Sequence, residues 1–568
     1  MEIKELYERW LEKAENEAIH AELEQVAGDE EKIRDRFFKS LEFGTGGLRG
    51  VIGAGTNRMN IYTVGQATQA LADYLKNAGI ESAKVVIGHD SRINSDVFSR
   101  AAAAVLAMNG IHAYLYPRLV PTPVVSFGVR ELKCDAGICI TASHNPSEYN
   151  GFKCYGPDGC QMTDNDANAV SACMAKVDIF DDVKHGDFDA LLAEGKIEYV
   201  PESVCETYKK NVLSCAINPD ACKEAKLSVV YTPLCGAGNL FVRDVLKRAG
   251  VENVTVVPSQ ENPDGTFPGC PFPNPEIRQA FTCALELAKE IKPDLLLATD
   301  PDSDRVGIAV RENDDYVLMS GNEVGAMLAD YVTAQRIANG TMPENPIVVK
   351  SIVTSDLGVK IAESRGCKGI NVLTGFKYIG EQMTMLSEKN EAERFILGWE
   401  ESYGYLAGSY ARDKDAVVAS MLICEMASFY KLQGKSLLDV MKGIYEEFGY
   451  FRHRLCNYAF KGEAGLIKMG EIMDSLRKAP LTEVGDMKVV IRRDYQESIE
   501  ISDKGESVID LPKSNVLAYI FADGSSLIVR PSGTEPKMKI YLTAVGKTAE
   551  DGDAILDKLE ERANEIAK

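Results

Sequence analysis

A short apolar strand, a polar turn and an amphipathic helix follow one another repeatedly along this chain, and few folds accommodate such a unit. Lys84–Gly88 (KVVIG) runs into the turn HDSR and a helical pattern over 95–109. Leu227–Tyr231 (LSVVY) runs into TPLCGAGN and a helix over 239–249. Ile347–Lys350 leads into a Ser/Thr/Asp turn and another helix. Strand-like runs also precede polar clusters at Ala136–Ile140 (then TASHNP), Leu295–Ala298 (TDPDSDR), Asn371–Leu373 (TGFKYIG) and Phe395–Leu397 (GWEESYG). Such alternation predicts an α/β protein with mixed, largely parallel sheets. In sheets of this kind ligands gather on the loops after strand C-termini. The polar clusters fall on those loops.

The two ends of the chain depart from this pattern. Residues 1–40 read as helix, with Leu6, Tyr7, Trp10 and Leu11 on one buried face. Toward the C-terminus, Val516–Phe521, Ser526–Val529 and Lys539–Thr543 read as short strands, with a hairpin turn at Ala522-Asp523-Gly524 and a closing helix over 549–567. This region predicts a smaller α+β domain with an antiparallel sheet. A length of 568 residues suggests three or four domains. The expected units are 1–205, 206–321, 322–455 and 456–568. The Gly/Pro/Asn-rich stretch 261–276 is read as a long loop within a domain.

Charge and cysteine usage narrow the class. Asp and Glu outnumber Lys and Arg by 85 to 63, a net charge of −22. A surface this acidic repels nucleic acid and anionic membranes, while a locally basic site for a small anion remains compatible with it. None of the 14 cysteines stands at C-x-x-C spacing, which excludes common zinc and thioredoxin patterns. The thiols suit a reducing compartment. The charged N-terminus carries no apolar leader, and no run approaches a membrane span, so a cytoplasmic protein is expected.

Three clusters carry the chemistry. Thr141-Ala142-Ser143-His144-Asn145-Pro146 presents a serine on a turn after a strand. Its hydroxyl needs a base, a metal or prior modification to react, and the surrounding sequence is not the G-x-S-x-G elbow of α/β-hydrolases. Asp300-Pro301-Asp302-Ser303-Asp304-Arg305 places three carboxylates at alternate positions, and oxygen-only ligands favour Mg²⁺ or Mn²⁺. An EF-hand fails because Arg305 and Arg311 stand where Gly and Glu are needed. Arg530-Pro531-Ser532-Gly533-Thr534-Glu535-Pro536-Lys537 combines a guanidinium fork, hydroxyl donors and a glycine, a nest for phosphate. Weaker signals are Gly398–Gly404 (GWEESYG), whose carboxylates and hydroxyl suit sugar hydroxyls, Arg49 in FGTGGLRG, and Arg412 and Lys414 in RDKD.

Taken together, FGTGGLRG (43–50), TASHNP (141–146), DPDSDR (300–305), GFKYIG (375–380), EESYG (400–404), RDKDA (412–416) and RPSGTEPK (530–537) resemble the α-D-phosphohexomutase family, in its phosphoglucomutase branch. The resemblance implies four domains around a central cleft, three α/β and a smaller α+β one. It implies that Ser143 carries the transferred phosphoryl group and that Asp300, Asp302 and Asp304 hold Mg²⁺ with an oxygen on Ser143. Glu400 and Ser402 would read sugar hydroxyls, and Arg530, Ser532, Gly533 and Thr534 would clamp the phosphate not being transferred. Arg49, His144, Lys153, Arg305, Lys377, Arg412 and Lys414 would line the cleft. Trp399 departs from the family, which often has glycine there. The implied reaction interconverts glucose 1-phosphate and glucose 6-phosphate, with glucose 1,6-bisphosphate as intermediate and activator. Mannose and pentose phosphates are alternative substrates, and the general base is His144 or Lys153.

Two rival classes predict different behaviour. In an aspartyl-phosphate phosphatase the first aspartate of the D-x-D loop is the nucleophile and Ser143 is dispensable. A non-catalytic sugar-phosphate sensor needs the Arg530 clamp but neither the serine nor the metal loop.

Overall fold

The computed structural model describes residues 2–43, 47–460, 462–532 and 537–568, which form four sheets. The first has six strands in the order Gly47–Val51, Tyr149–Tyr155, Ala136–Ile140, Lys84–His89, His112–Leu115 and Ile197–Tyr199. Its first two pairings are antiparallel and the other three parallel. Side chains alternate between faces along a strand, and in the central strands Lys84–His89 and Ala136–Ile140 both faces are buried. Val85 and Ile87 join the core under the helices Ile61–Asn77 and Ser95–Met108. Val86 points into the core shared with the helix Thr122–Glu131. Burial on both sides explains why these strands read as unbroken apolar runs.

The second sheet orders Asp315–Met319, Val306–Glu312, Leu295–Thr299, Ser228–Thr232 and Asn253–Val256, antiparallel at the first two pairings and parallel at the others. The third orders Lys368–Val372, Ile347–Ser351, Phe395–Glu400 and Gly404–Leu406, with only the last pairing antiparallel. One continuous core joins the three sheets, running from Val86 through Leu297 to Val349. The helix Ala416–Lys431, buried over most of its length, lies within it. The fourth sheet is antiparallel throughout and is covered on one face by the helix Ala549–Ile566.

The N-terminal region is three helices, Ile3–Lys13, Glu17–Gln25 and Glu30–Phe37, where the periodicity predicts one continuous stretch. The breaks fall at Asn16 and Asp29, whose side chains accept from the backbone N–H of Ile19 and Lys32, both at 3.1 Å. Capping side chains of this kind satisfy the free donors of a new helix start. The buried face is as expected at Trp10, whose ring meets Phe37, Tyr62 and Phe180 at 5.8, 5.5 and 5.3 Å. Leu6 and Leu11 are only half-buried. Residues 205 and 455 lie within the helix Glu202–Ser214 and the strand Tyr450–Ala459, whereas 321 opens the helix Gly321–Ala338. Among the described residues no helix is long and apolar enough to cross a membrane.

Candidate active site

Ser143 stands just past the strand Ala136–Ile140, with φ at 54°. A left-handed backbone is unfavourable for a residue with a side chain and persists only where its surroundings enforce it. Here the enforcement is visible. The Ser143 N–H donates to Thr141 Oγ1 at 2.8 Å, and Thr141 Oγ1 donates to Asp90 Oδ2 at 2.6 Å. Arg92, 2% exposed, donates to the carbonyls of Ser143 (2.6 Å), Pro146 (2.8 Å), Tyr149 (2.9 Å) and Asn145. One guanidinium thus gathers the whole turn. Ser143 Oγ donates to Asp300 Oδ2 at 2.9 Å and lies 3.1 Å from His144 Nδ1.

The aspartates follow the strand Leu295–Thr299 and are fully buried, with one oxygen from each within 4.8 Å of the others. Asp300 Oδ1 accepts from the backbone N–H groups of Asp304 (3.0 Å) and Arg305 (2.9 Å), which curls the loop around the carboxylates. Asp302 Oδ2 accepts from Lys153 at 2.8 Å and Thr122 Oγ1 at 2.9 Å. Asp304 Oδ2 lies 3.0 Å from both Lys153 and Lys414. Asp302 Oδ1 and Asp304 Oδ1 are buried without a hydrogen-bond partner. Buried carboxylate oxygens without a donor are costly, and a hard divalent cation satisfies such a set. These three residues therefore fit a metal ion.

The electrostatics agree. Burial, reinforced by Asp302 and Asp304, pushes the Asp300 carboxyl well above its ordinary value. Burial also opposes ionisation of Asp304, but Lys153, Lys414 and Arg305 outweigh it and hold that carboxyl low. Burial would discharge Lys153, yet Asp302 and Asp304 hold its ammonium well above the usual range. His144 is pushed well below its ordinary value by burial, with Arg305 and Arg49 adding repulsion.

These groups open onto a cleft of about 810 Å³. Arg49, Ser143, His144, Lys153, Asp304, Arg305, Lys377, Glu400, Ser402, Lys414 and Arg530 all line it. Arg49, on the edge strand Gly47–Val51, donates to Asn145 Oδ1 at 3.3 Å. Arg305 donates to Glu276 Oε1 at 2.5 Å, and Lys377 pairs with Asp164 at 2.6 Å. Glu400 ends the strand Phe395–Glu400 and accepts from the Gly375 N–H at 2.8 Å. Burial and the adjacent Glu401 raise its carboxyl from 4.5 to about 7. Arg530 sits on the strand Ser526–Pro531 opposite Lys539, and the Ser532 N–H donates to Lys537 O at 2.7 Å. Gly533 and Thr534 lie outside the described residues.

Arg412 is not brought to the cleft. It is 2% exposed, and its two terminal nitrogens donate to Ser409 O (2.6 Å), Ala411 O (3.1 Å) and, on the helix Phe376–Glu388, Ser387 Oγ (2.7 Å), while its Nε is buried without a partner. Several residues in or behind the site escaped the sequence reading. Glu276 and Asn274, from the loop 261–276, reach the cleft. So do His453, Asn457 and Lys539, from strands with no motif. Asp90 and Arg92 belong to the turn HDSR, whose charged residues after an apolar strand were a usable signal. Thr122 gave none.

Models of the phosphoglucomutase/phosphomannomutase family match all four of its parts: α/β/α domain I at residues 40–179, domain II at 206–313, domain III at 320–448 and the C-terminal domain at 477–561. A phosphoglucomutase of Staphylococcus saprophyticus is 36% identical over 537 residues, covering 94% of this chain and 95% of its own. A putative phosphomannomutase of Thermus thermophilus superposes with a TM-score of 0.68 at 24% identity, over 93% of this chain and 99% of that one. An N-acetylphosphoglucosamine mutase variant of Aspergillus fumigatus, solved with glucose 1,6-bisphosphate, gives 0.50 at 12% identity, over 100% of this chain and 99% of that one. The last two likenesses concern the fold. The chain belongs to the phosphoglucomutase/phosphomannomutase family, and it is a phosphohexomutase, an isomerase of sugar phosphates.

Proposed function

We propose that this phosphohexomutase interconverts glucose 1-phosphate and glucose 6-phosphate by passing a phosphoryl group between Ser143 and the sugar. The observation that carries the reading is the approach of Ser143 Oγ to Asp300 at 2.9 Å, beside two buried carboxylate oxygens that lack a donor. In one half-reaction phospho-Ser143 gives its phosphoryl to the free hydroxyl of the bound monophosphate, forming glucose 1,6-bisphosphate. The bisphosphate then turns over, and its other phosphate returns to Ser143. Asp300, Asp302, Asp304 and an oxygen on Ser143 would hold Mg²⁺, which supplies charge neutralisation at the phosphoryl group. Phosphoryl transfer depends on positioning and electrostatics more than on covalent help.

The chain's own groups divide this work. Arg305, Lys153 and Lys414 bring positive charge to the transferring phosphoryl group, and Arg49 flanks Ser143 from the edge strand. The sugar hydroxyl loses its proton to His144 or Lys153. His144, with its depressed proton affinity, enters as a neutral acceptor. Lys153, an ammonium held by two carboxylates, has no free lone pair to take that proton, which favours His144 as the acceptor. Glu400 and Ser402 accept sugar hydroxyls, and Lys377 flanks them. Arg530 and Ser532, with Gly533 and Thr534, hold the distal phosphate. Because that clamp belongs to the fourth sheet, approach of this unit to the others would exclude water from the phosphoserine.

The four units read from the sequence are the working division of the chain. Its 14 cysteines, all free, suit the cytoplasm. The test is a coupled assay with glucose 1-phosphate, mannose 1-phosphate and ribose 1-phosphate, with and without glucose 1,6-bisphosphate. Glucose 1-phosphate should turn over fastest and depend on the bisphosphate. Ser143→Ala should remove turnover with the fold intact. Phosphate release without isomerisation would instead identify a phosphatase.

A further inference from the structure

The segment 261–276 contains neither helix nor strand, yet it contacts both halves of the phosphoryl site. At its first half, Gly265 presses against the turn after the strand Lys84–His89. A Cβ added there would lie 2.4 Å from Ile93 N and 2.8 Å from Ser91 O. Two residues on, Phe267 is 1% exposed and held in a left-handed conformation, with φ at 49°. Its ring lies 5.0 Å below the guanidinium of Arg92. That guanidinium gathers the Ser143 turn through four backbone carbonyls. A cation over an aromatic face is attracted by the ring's quadrupole, most strongly where water is excluded.

At its second half, the segment is fixed to the metal loop. Pro275 packs so tightly on Gly307 that a Cβ on the glycine would lie 2.3 Å from Pro275 O. Asn274 Oδ1 accepts from the Glu276 backbone N–H at 3.0 Å, closing the turn that leads into Glu276. Glu276 Oε1 then receives Arg305 at 2.5 Å, with both side chains partly buried. Arg305 directly follows Asp304, and its own backbone N–H donates to Asp300. Both ends of one irregular segment are therefore anchored on arginines, one holding the serine turn and the other extending the metal loop.

We propose that residues 261–276 form a strap that fixes the Ser143 turn relative to the Asp300–Asp304 loop. Phe267 acts through Arg92 and Glu276 through Arg305, and both are positioning residues for phosphoryl transfer. The proposal rests on the reading of Ser143 as the phosphoryl carrier. Its physical basis is that the two loops come from different sheets, so neither sheet's hydrogen bonding sets the distance between Ser143 Oγ and the carboxylates. A misplacement of about 1 Å costs up to about 100-fold in rate.

The experiment uses full-length protein as wild type, Phe267→Leu, Arg92→Lys, the double variant of these two, and Gly265→Ala. Two quantities are measured: the rate at which labelled glucose 1,6-bisphosphate phosphorylates Ser143, and kcat and KM for glucose 1-phosphate. F267L and G265A should each slow Ser143 labelling and lower kcat by about 10- to 100-fold, with KM changed less than about threefold. The double variant should be no slower than R92K alone, because residues acting through one contact are not additive. A cavity that merely loosened the fold would instead add its loss to that of R92K. Multiplicative losses in the double variant, or unchanged labelling in both F267L and G265A, would overturn the strap while leaving the phosphoserine reading standing. Wild-type protein that takes no label at Ser143 would overturn both.

Discussion

Glu400→Gln tests how the cleft treats a buried carboxyl on its wall. Glu400 is 5% exposed, and burial with Glu401 as neighbour raises its proton affinity from 4.5 to about 7. Between those two pH values the folded protein keeps a proton that the unfolded chain has released. Folding stability therefore falls as the pH rises through this window, and the cost is fully present above about pH 7. At about 1.4 kcal/mol per pH unit the cost is about 3 kcal/mol. Glutamine keeps an oxygen for the Gly375 N–H, which Glu400 now accepts at 2.8 Å, and has no proton to exchange. The variant should gain on the wild type by about 3 kcal/mol between pH 4.5 and pH 8, with little difference at the acid end. Urea unfolding at a series of pH values measures this. Trp399, adjacent and 1% exposed, is the local fluorophore. A Trp10→Phe background removes the only other tryptophan, which lies in a separate cluster. Wild-type and variant stabilities that stay parallel from pH 4.5 to pH 8 would refute the assignment of this burial cost to Glu400.

Mg²⁺ added to metal-free protein should raise the thermal midpoint, by about 2.7 kcal/mol of stabilisation at a hundred times its dissociation constant. Asp302→Asn should lose most of that gain in the same thermal scan. Arg412→Ala should destabilise by about 2 kcal/mol in urea, since it leaves the buried Ala411 carbonyl without its donor, whereas Ser409 O keeps Arg130 at 2.9 Å. Its KM for glucose 1-phosphate should change less than about twofold, because the side chain does not line the cleft.

The α/β class was legible because both faces of the central strands Lys84–His89 and Ala136–Ile140 are buried, which writes an unbroken apolar run into the sequence. Ser143, the aspartate triplet and Arg530, which the structure gathers at one cleft, stood out because the turns after their strands concentrate polar residues that packing alone does not require. The N-terminal helices were harder. Asn16 and Asp29 interrupt a pattern that charge and periodicity continue across. Arg412 misled for a related reason, since an arginine among acidic residues reads the same whether its fork faces solvent, a ligand or three oxygens of its own fold.

Local order along the chain settled which segments become strands, where each sheet's loops emerge and which loops carry donors or carboxylates, because those depend on side-chain period and near neighbours. The meeting of Ser143 with Asp300 depends on contacts 157 residues apart in sequence, and the pairing of Arg305 with Glu276 on the path of a segment without regular structure. No periodicity encodes such contacts. They arise when three sheets share one core; burial then raises the proton affinity of Asp300 and Glu400, and the buried carboxylates of Asp302 and Asp304 hold the proton on Lys153 against the burial that would remove it.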